Sequence, residues 1–145
     1  MNKLPESLEA YPYKAEDKIR YGDCDAMGHV NNAVFSTFLE TGRVEVLMGD
    51  REEVLSEDCG FVIVRLELDY LGEIRWPGMV QIGTTVLSVN TSSVAFGQMV
   101  FQDGKPVARA KTVIVQMNKT TRKSQRLSDL ARERFSACLI DGVDA

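Results

Sequence analysis

A chain of 145 residues has room for one compact domain with a real core. Hydrophobic residues make up 44% and charged residues 26%, the balance of an ordinary globular protein, and the net charge of −4 argues against a general nucleic-acid binder, which would carry a basic face. Cys24, Cys59 and Cys138 are odd in number and include no CxxC pair, which argues against a disulfide framework or structural zinc site and points to a reducing cytoplasm.

The N-terminal stretch MNKLPESLEAYPYK has no apolar run long enough for a signal peptide, and no later stretch reads as membrane-spanning. A first strand is expected from Tyr13 to Tyr21, then a polar turn from Gly22 to Val30. Phe35, Phe38, Leu39, Gly42 and Val46 recur with helical spacing, with Asn31 as N-cap and Gly49 as stop, while Glu40, Arg43 and Glu45 lie largely off that stripe. Gly42 weakens the helix by roughly 1 kcal/mol relative to Ala and is read as a point of close approach. In FVIVRLELDYL the period becomes two, with Val62, Val64, Leu66, Leu68 and Tyr70 on one face and Arg65, Glu67 and Asp69 on the other. A turn at Trp76-Pro77-Gly78 leads to a strand from Val80 to Val89, and a Ser/Thr/Asn turn leads to another from Val94 to Gln102. Asp103-Gly104 is a hairpin signal, and the last strand, Val107 to Met117, sets the small residues Ala108, Ala110 and Thr112 on one face, where a helix can pack closely. A basic segment, Lys119 to Arg126, precedes a final helix carrying Leu127, Leu130, Ala131 and Phe135. The order strand, helix, four strands, helix predicts an α+β domain over residues 1–145, a curved antiparallel sheet wrapped around one long central helix.

The segment with the most chemistry is RYGDCDAMGHVNN, Arg20 to Asn32, which places Asp23, Cys24, Asp25, the single histidine His29, and Asn31 and Asn32 where a strand ends and a helix begins. The first helical amides have no internal partner and carry positive partial charge, so a carbonyl oxygen becoming an oxyanion is stabilised there. A carboxylate beside them can attack the carbonyl or activate a water. The plainer reading of Asp25 is a turn residue, of Asp23 a hydrogen bond to the turn, of His29 a brace and of Cys24 a small buried hydrophobe. Asp23, Asp25 and His29 match no standard metal spacing.

The run YGDCDAMGHVNN followed by FSTFLETGR resembles the signature of hot-dog thioesterases related to 4-hydroxybenzoyl-CoA thioesterase, and its wording is closest to the bacterial long-chain acyl-CoA branch. The WPG turn and the element order fit, so the resemblance spans nearly the whole chain. It implies the hot-dog fold, a thioester hydrolase acting on an acyl-CoA, and Asp25 as the catalytic carboxylate. The oxyanion donor would be the backbone amide of Asn32, with Gly28, His29 and Asn31 lining or bracing the site. It implies no metal and no bound cofactor, CoA being part of the substrate, and a homodimer or homotetramer with sites at the dimer interface. Glu40 and Arg43 read as an exposed ion pair from their spacing, and as an interface or buried pair by the resemblance. Phe35, Phe38, Leu39 and Met48 are candidates for an acyl tunnel as well as for the core. Lys119, Arg122, Lys123 and Arg126, and separately Arg65, are candidates for the CoA phosphates. The competing readings are a hot-dog enoyl hydratase or dehydratase and a non-catalytic acyl-ligand binder.

Overall fold

The computed structural model describes residues 3–48 and 54–140. The elements follow the predicted order: β1 (Tyr13–Ile19), α1 (Val34–Met48), β2 (Cys59–Tyr70), β3 (Gly78–Val89), β4 (Ser93–Gln102), β5 (Lys105–Asn118) and α2 (Asp129–Ser136). The expected stop at Gly49 lies outside the described residues. All pairings are antiparallel, in the spatial order β1-β3-β4-β5-β2. The helix intervenes between β1 and β2, and β2 is laid against β5, so the first two strands become opposite edges of the sheet. The hairpin between β4 and β5 turns at Asp103 and Gly104, both with positive φ (52° and 77°), as a two-residue hairpin of this kind requires.

The apolar stripe of α1 packs into the sheet as its spacing predicts. Phe35, Phe38 and Leu39 join Ile82, Val100, Ala108 and Ala110 in one half of the core. Val46 joins Phe96, Ile114 and, from α2, Ala131 and Phe135 in the other. Gly42 is the point of closest approach: a Cβ there would lie 2.6 Å from Ile82 Cγ2, 2.7 Å from Gln98 Nε2 and 2.9 Å from Thr84 Oγ1. Gln98, fully buried, donates through Nε2 to the Leu39 carbonyl (2.9 Å) and to Thr84 Oγ1 (3.0 Å).

Three expectations are corrected. Arg43 does not lie off the buried face; it is 6% exposed, and its Nη1 donates to Gln98 Oε1 at 3.3 Å, with no ion pair to Glu40 among the described residues. Burial lowers the Arg43 pKa, opposed by the charge of Glu40. The first strand stops at Ile19, because Tyr21–Asp23 closes a 3-10 turn. The β2 alternation is broken by a bulge at Val64: Ile63 pairs with Ile114, yet Arg65 pairs with Val113. One extra residue shifts every later side chain to the other face. Cys59, Phe61 and Ile63 therefore share a face with Leu66, Leu68 and Tyr70, and Val62 does not.

The outer face of β3 and β4 is covered by the N-terminal segment. Tyr11, Met99 and Phe101 form a third cluster, with Leu4 and Leu8 packed against it. Two strand glycines make the notches: a Cβ at Gly83 would lie 2.5 Å from the Tyr11 ring, and one at Gly97 would lie 2.6 Å from Leu4 Cδ2. Tyr11 donates its hydroxyl to the Pro5 carbonyl at 2.7 Å, and burial, aided by Glu6, raises its pKa.

Candidate active site

The segment between β1 and α1 is held as a closed lobe by its own backbone and by the turn before β3. The Val30 amide donates to the Ile74 carbonyl and the Asn31 amide to the Asp23 carbonyl, each at 2.8 Å. Asp23 uses its side chain locally, Oδ2 accepting from the Arg20 amide at 2.8 Å. Within the lobe the Asp25 amide donates to the His29 carbonyl (2.8 Å) and the Gly28 amide to the Asp25 carbonyl (3.1 Å). Gly28 sits at φ +80°, a left-handed conformation that a side chain would strain.

Asp25 stands at the centre. Its Oδ1 accepts from the amides of Met27 (2.8 Å) and His29 (3.2 Å), while no donor among the described residues bonds its Oδ2. The side chain is thus a turn residue and an acceptor with one free oxygen at once. It borders two clefts. One, of about 340 Å³, is lined by Asp25, His29, Asn32, Phe35, Tyr70 and Glu73. The other, of about 300 Å³, is lined by Tyr21, Cys24, Asp25, Ala26, Gly28 and Trp76.

The start of α1 faces the first cleft. Asn31 Oδ1 accepts from the Ala33 amide (3.0 Å) and the Asn31 carbonyl from the Val34 amide (2.9 Å), so Asn31 closes the turn that enters the helix. The Asn32 amide has no acceptor among the described residues, and its carbonyl accepts from the Tyr70 hydroxyl at 3.1 Å. His29 places Nε2 3.2 Å from Glu73 Oε2, and the same oxygen is 3.0 Å from Arg75 Nη2. Cys24 is half-buried, packs against the Phe35 half of the core and points Sγ toward the Arg20 carbonyl at 3.9 Å.

The segment therefore brings Asp25, Gly28, His29 and Asn32 around shared clefts, with Asn31 as a brace. Other candidates fall elsewhere. Of the acyl-tunnel candidates, Phe35 is both core and cleft wall, Phe38 and Leu39 are core alone, and Met48 is 65% exposed. Arg65 pairs with Glu67 at 2.8 Å. Lys119 to Arg126 follows β5, at the end of the sheet remote from Asp25. Glu73, Tyr70, Tyr21 and Trp76 were not singled out from the sequence. The only local hint was that Glu73 and Trp76 occupy the LGEIRWPG turn. Among the described residues no group of three or more His, Cys, Asp and Glu is placed to hold a metal ion, and no helix is long and apolar enough to cross a membrane.

An antiparallel sheet wrapped on one long helix, with a carboxylate lobe at the helix start, is the hot-dog architecture of thioesterases. The chain belongs to the thioesterase-like superfamily, whose family model matches residues 19–135. It is 26% identical over 101 residues to the acyl-CoA thioester hydrolase YbgC of Escherichia coli O157:H7, covering 68% of this chain and 75% of that one. Among solved structures it is similar to a thioesterase from Thermus thermophilus complexed with coenzyme A and zinc (TM-score 0.77, 28% identity, 90% of this chain and 96% of that one). The PA5185 protein of Pseudomonas aeruginosa shares the fold with a TM-score of 0.83 at 21% identity, over 93% of this chain and 96% of that one.

Proposed function

We propose that the protein is an acyl-CoA thioester hydrolase, a single hot-dog domain that releases a free carboxylic acid and CoA. The observation that carries this reading is that one cleft is lined by both Asp25, whose Oδ2 accepts no hydrogen bond among the described residues, and Asn32, whose amide has no acceptor among them. The thioester carbonyl carbon meets Asp25, and its oxygen rests on the Asn32 amide as charge develops. Asp25 either attacks the carbonyl, giving a mixed anhydride that water cleaves, or takes a proton from the attacking water. The thiolate departs and the acyl group leaves as a carboxylate. Gly28 and His29 hold the Asp25 lobe in shape, and Asn31 fixes the peptide that presents the Asn32 amide. No metal or resident cofactor takes part, and CoA enters only as part of the substrate. The name of the Escherichia coli relative supports the acyl-CoA substrate. The three cysteines, all free thiols, suit a cytoplasmic enzyme.

The working form in this reading is at least a homodimer that joins β2 to β2 in one continuous sheet. Ile63 and Val64 are 51% and 58% exposed on that edge, and Val62, Leu66 and Tyr70 are exposed beside them. Thiol release from short, long and aromatic acyl-CoAs tests the chemistry. Asp25→Asn is expected to lower turnover by about 10³-fold with the fold intact by circular dichroism. Unchanged turnover would remove Asp25 from the mechanism.

A further inference from the structure

Glu73 lies in the turn between β2 and β3, outside the segment that carries Asp25, yet both carboxylates line one cleft. The turn is fixed to the sheet at three points. Ile74 is fully buried and joins Phe35 and Phe38 in the core. The Leu71 and Gly72 amides donate to the Val107 carbonyl on β5 (2.9 and 3.1 Å). Gln102, the last residue of β4, brackets the Arg75 backbone: its Oε1 accepts from the Arg75 amide (3.0 Å) and its Nε2 donates to the Arg75 carbonyl (2.7 Å).

This anchored turn holds His29 in two ways. Through the backbone, His29 forms an antiparallel bridge with Arg75, and the Val30 amide donates to the Ile74 carbonyl at 2.8 Å. Through the side chain, His29 Nε2 lies 3.2 Å from Glu73 Oε2. An ionised carboxylate can only accept, so Nε2 carries the proton between them. Arg75 Nη2 bonds the same Glu73 oxygen at 3.0 Å. The guanidinium is always charged, so the negative charge of Glu73 has a partner whether or not the imidazole is protonated. His29 in turn holds Asp25: its amide donates to Oδ1 (3.2 Å) and its carbonyl accepts from the Asp25 amide (2.8 Å). The imidazole makes no hydrogen bond to the Asp25 carboxylate among the described residues. The contacts run from the sheet to the turn, from the turn to His29, and from His29 to the carboxylate.

We propose that Glu73 is a positioning residue of the hydrolysis: by accepting from His29 Nε2 it holds residue 29 against the anchored turn, and with it the amide that orients the Asp25 carboxylate. This role presupposes the hydrolase reading above, in which Asp25 meets the thioester. A misaimed nucleophile or base loses turnover while substrate still binds, so the effect belongs in kcat.

Steady-state kinetics with the best acyl-CoA test it. Glu73→Ala should lower kcat about tenfold, with KM within about twofold of wild type and an unchanged circular dichroism spectrum. Glu73→Gln keeps an acceptor for Nε2 and should recover most of kcat. His29→Ala should lower kcat by a similar factor, and adding Glu73→Ala to it should cost nothing further, because the link is already cut. A Glu73 that touched substrate directly would be missed equally in both backgrounds, so a full tenfold loss on top of His29→Ala would overturn the proposal. So would a Glu73→Ala enzyme with the wild-type kcat, or a Glu73→Gln enzyme as slow as Glu73→Ala. In each of those cases wild type and Asp25→Asn would still differ, and the hydrolase reading would stand. A wild type inert toward every thioester would remove that reading, and the role of Glu73 with it.

Discussion

The two edges of the sheet are built on opposite rules. β1 exposes Lys14, Glu16 and Lys18 along a seven-residue strand, the charged and short kind of edge that discourages further pairing. β2 is nearly twice as long and exposes Val62, Ile63, Val64 and Leu66 at its centre, the kind of edge that invites a partner. The candidate site draws on both, its lobe leaving β1 and its cleft wall ending β2. An unprotected edge beside a site is better explained as part of that site than as a flaw of the fold.

Among substitutions away from the cleft, the largest expected effect comes from giving β2 the character of β1. Val64→Lys should convert the proposed β2-paired dimer to a folded monomer in analytical ultracentrifugation and lower kcat/KM about 100-fold, because desolvating a lysine at the centre of an interface is prohibitive. Glu16→Lys on β1 should leave both mass and activity unchanged. The centre of the sheet is expected to govern stability without touching assembly. Gly42→Ala must push back Ile82, Thr84 and Gln98 and should cost about 2–3 kcal/mol by urea denaturation, with the dimer mass retained. Gln98→Leu leaves the Arg43 guanidinium and the Leu39 carbonyl without their partner and should cost about 2 kcal/mol. Adding Arg43→Met should recover part of that loss, since the buried charge goes with its partner. The smallest effect lies near β1. Tyr11→Phe should cost about 1 kcal/mol at pH 7 through the bond to Pro5. The pKa of Tyr11 is raised in the folded state, so its contribution is complete below the ordinary tyrosine value of about 10 and is lost as pH rises beyond it. Tyr11→Phe should therefore flatten the decline in urea midpoint between neutral and strongly alkaline pH.

Features encoded by neighbouring residues were legible in the sequence. The Asp103-Gly104 turn needs two positive φ values, which those residue types announce. The stripe from Phe35 to Val46 has one period, so its buried face followed, and Gly42 marked the close approach within it. The Asp25 lobe was legible for the same reason, since all but one of the hydrogen bonds from its backbone amides run between residues 20 and 31, the exception joining Val30 to Ile74. Features that depend on distant residues were not legible. The bulge at Val64 is a relation between β2 and β5, and without it the alternation reads wrongly. Arg43 turns inward to meet Gln98, fifty-five positions away, which no helical spacing reveals. Glu73 and Tyr70 reach the cleft only because β2 ends beside the helix start. The glycines at 83 and 97, interrupting otherwise apolar strands, were the available sign that Tyr11 and Leu4 lie across the outer face.

The hydroxyl of Tyr70, bonded to the carbonyl of Asn32, ties the last residue of one edge strand to the peptide that begins the helix. In the proposed dimer, losing the neighbouring subunit would loosen that strand end and, through one phenol, the Asn32 amide two atoms away along the backbone, the proposed oxyanion donor. Specific activity should thus fall on dilution before any unfolding is seen, which would make the enzyme a sensor of its own concentration.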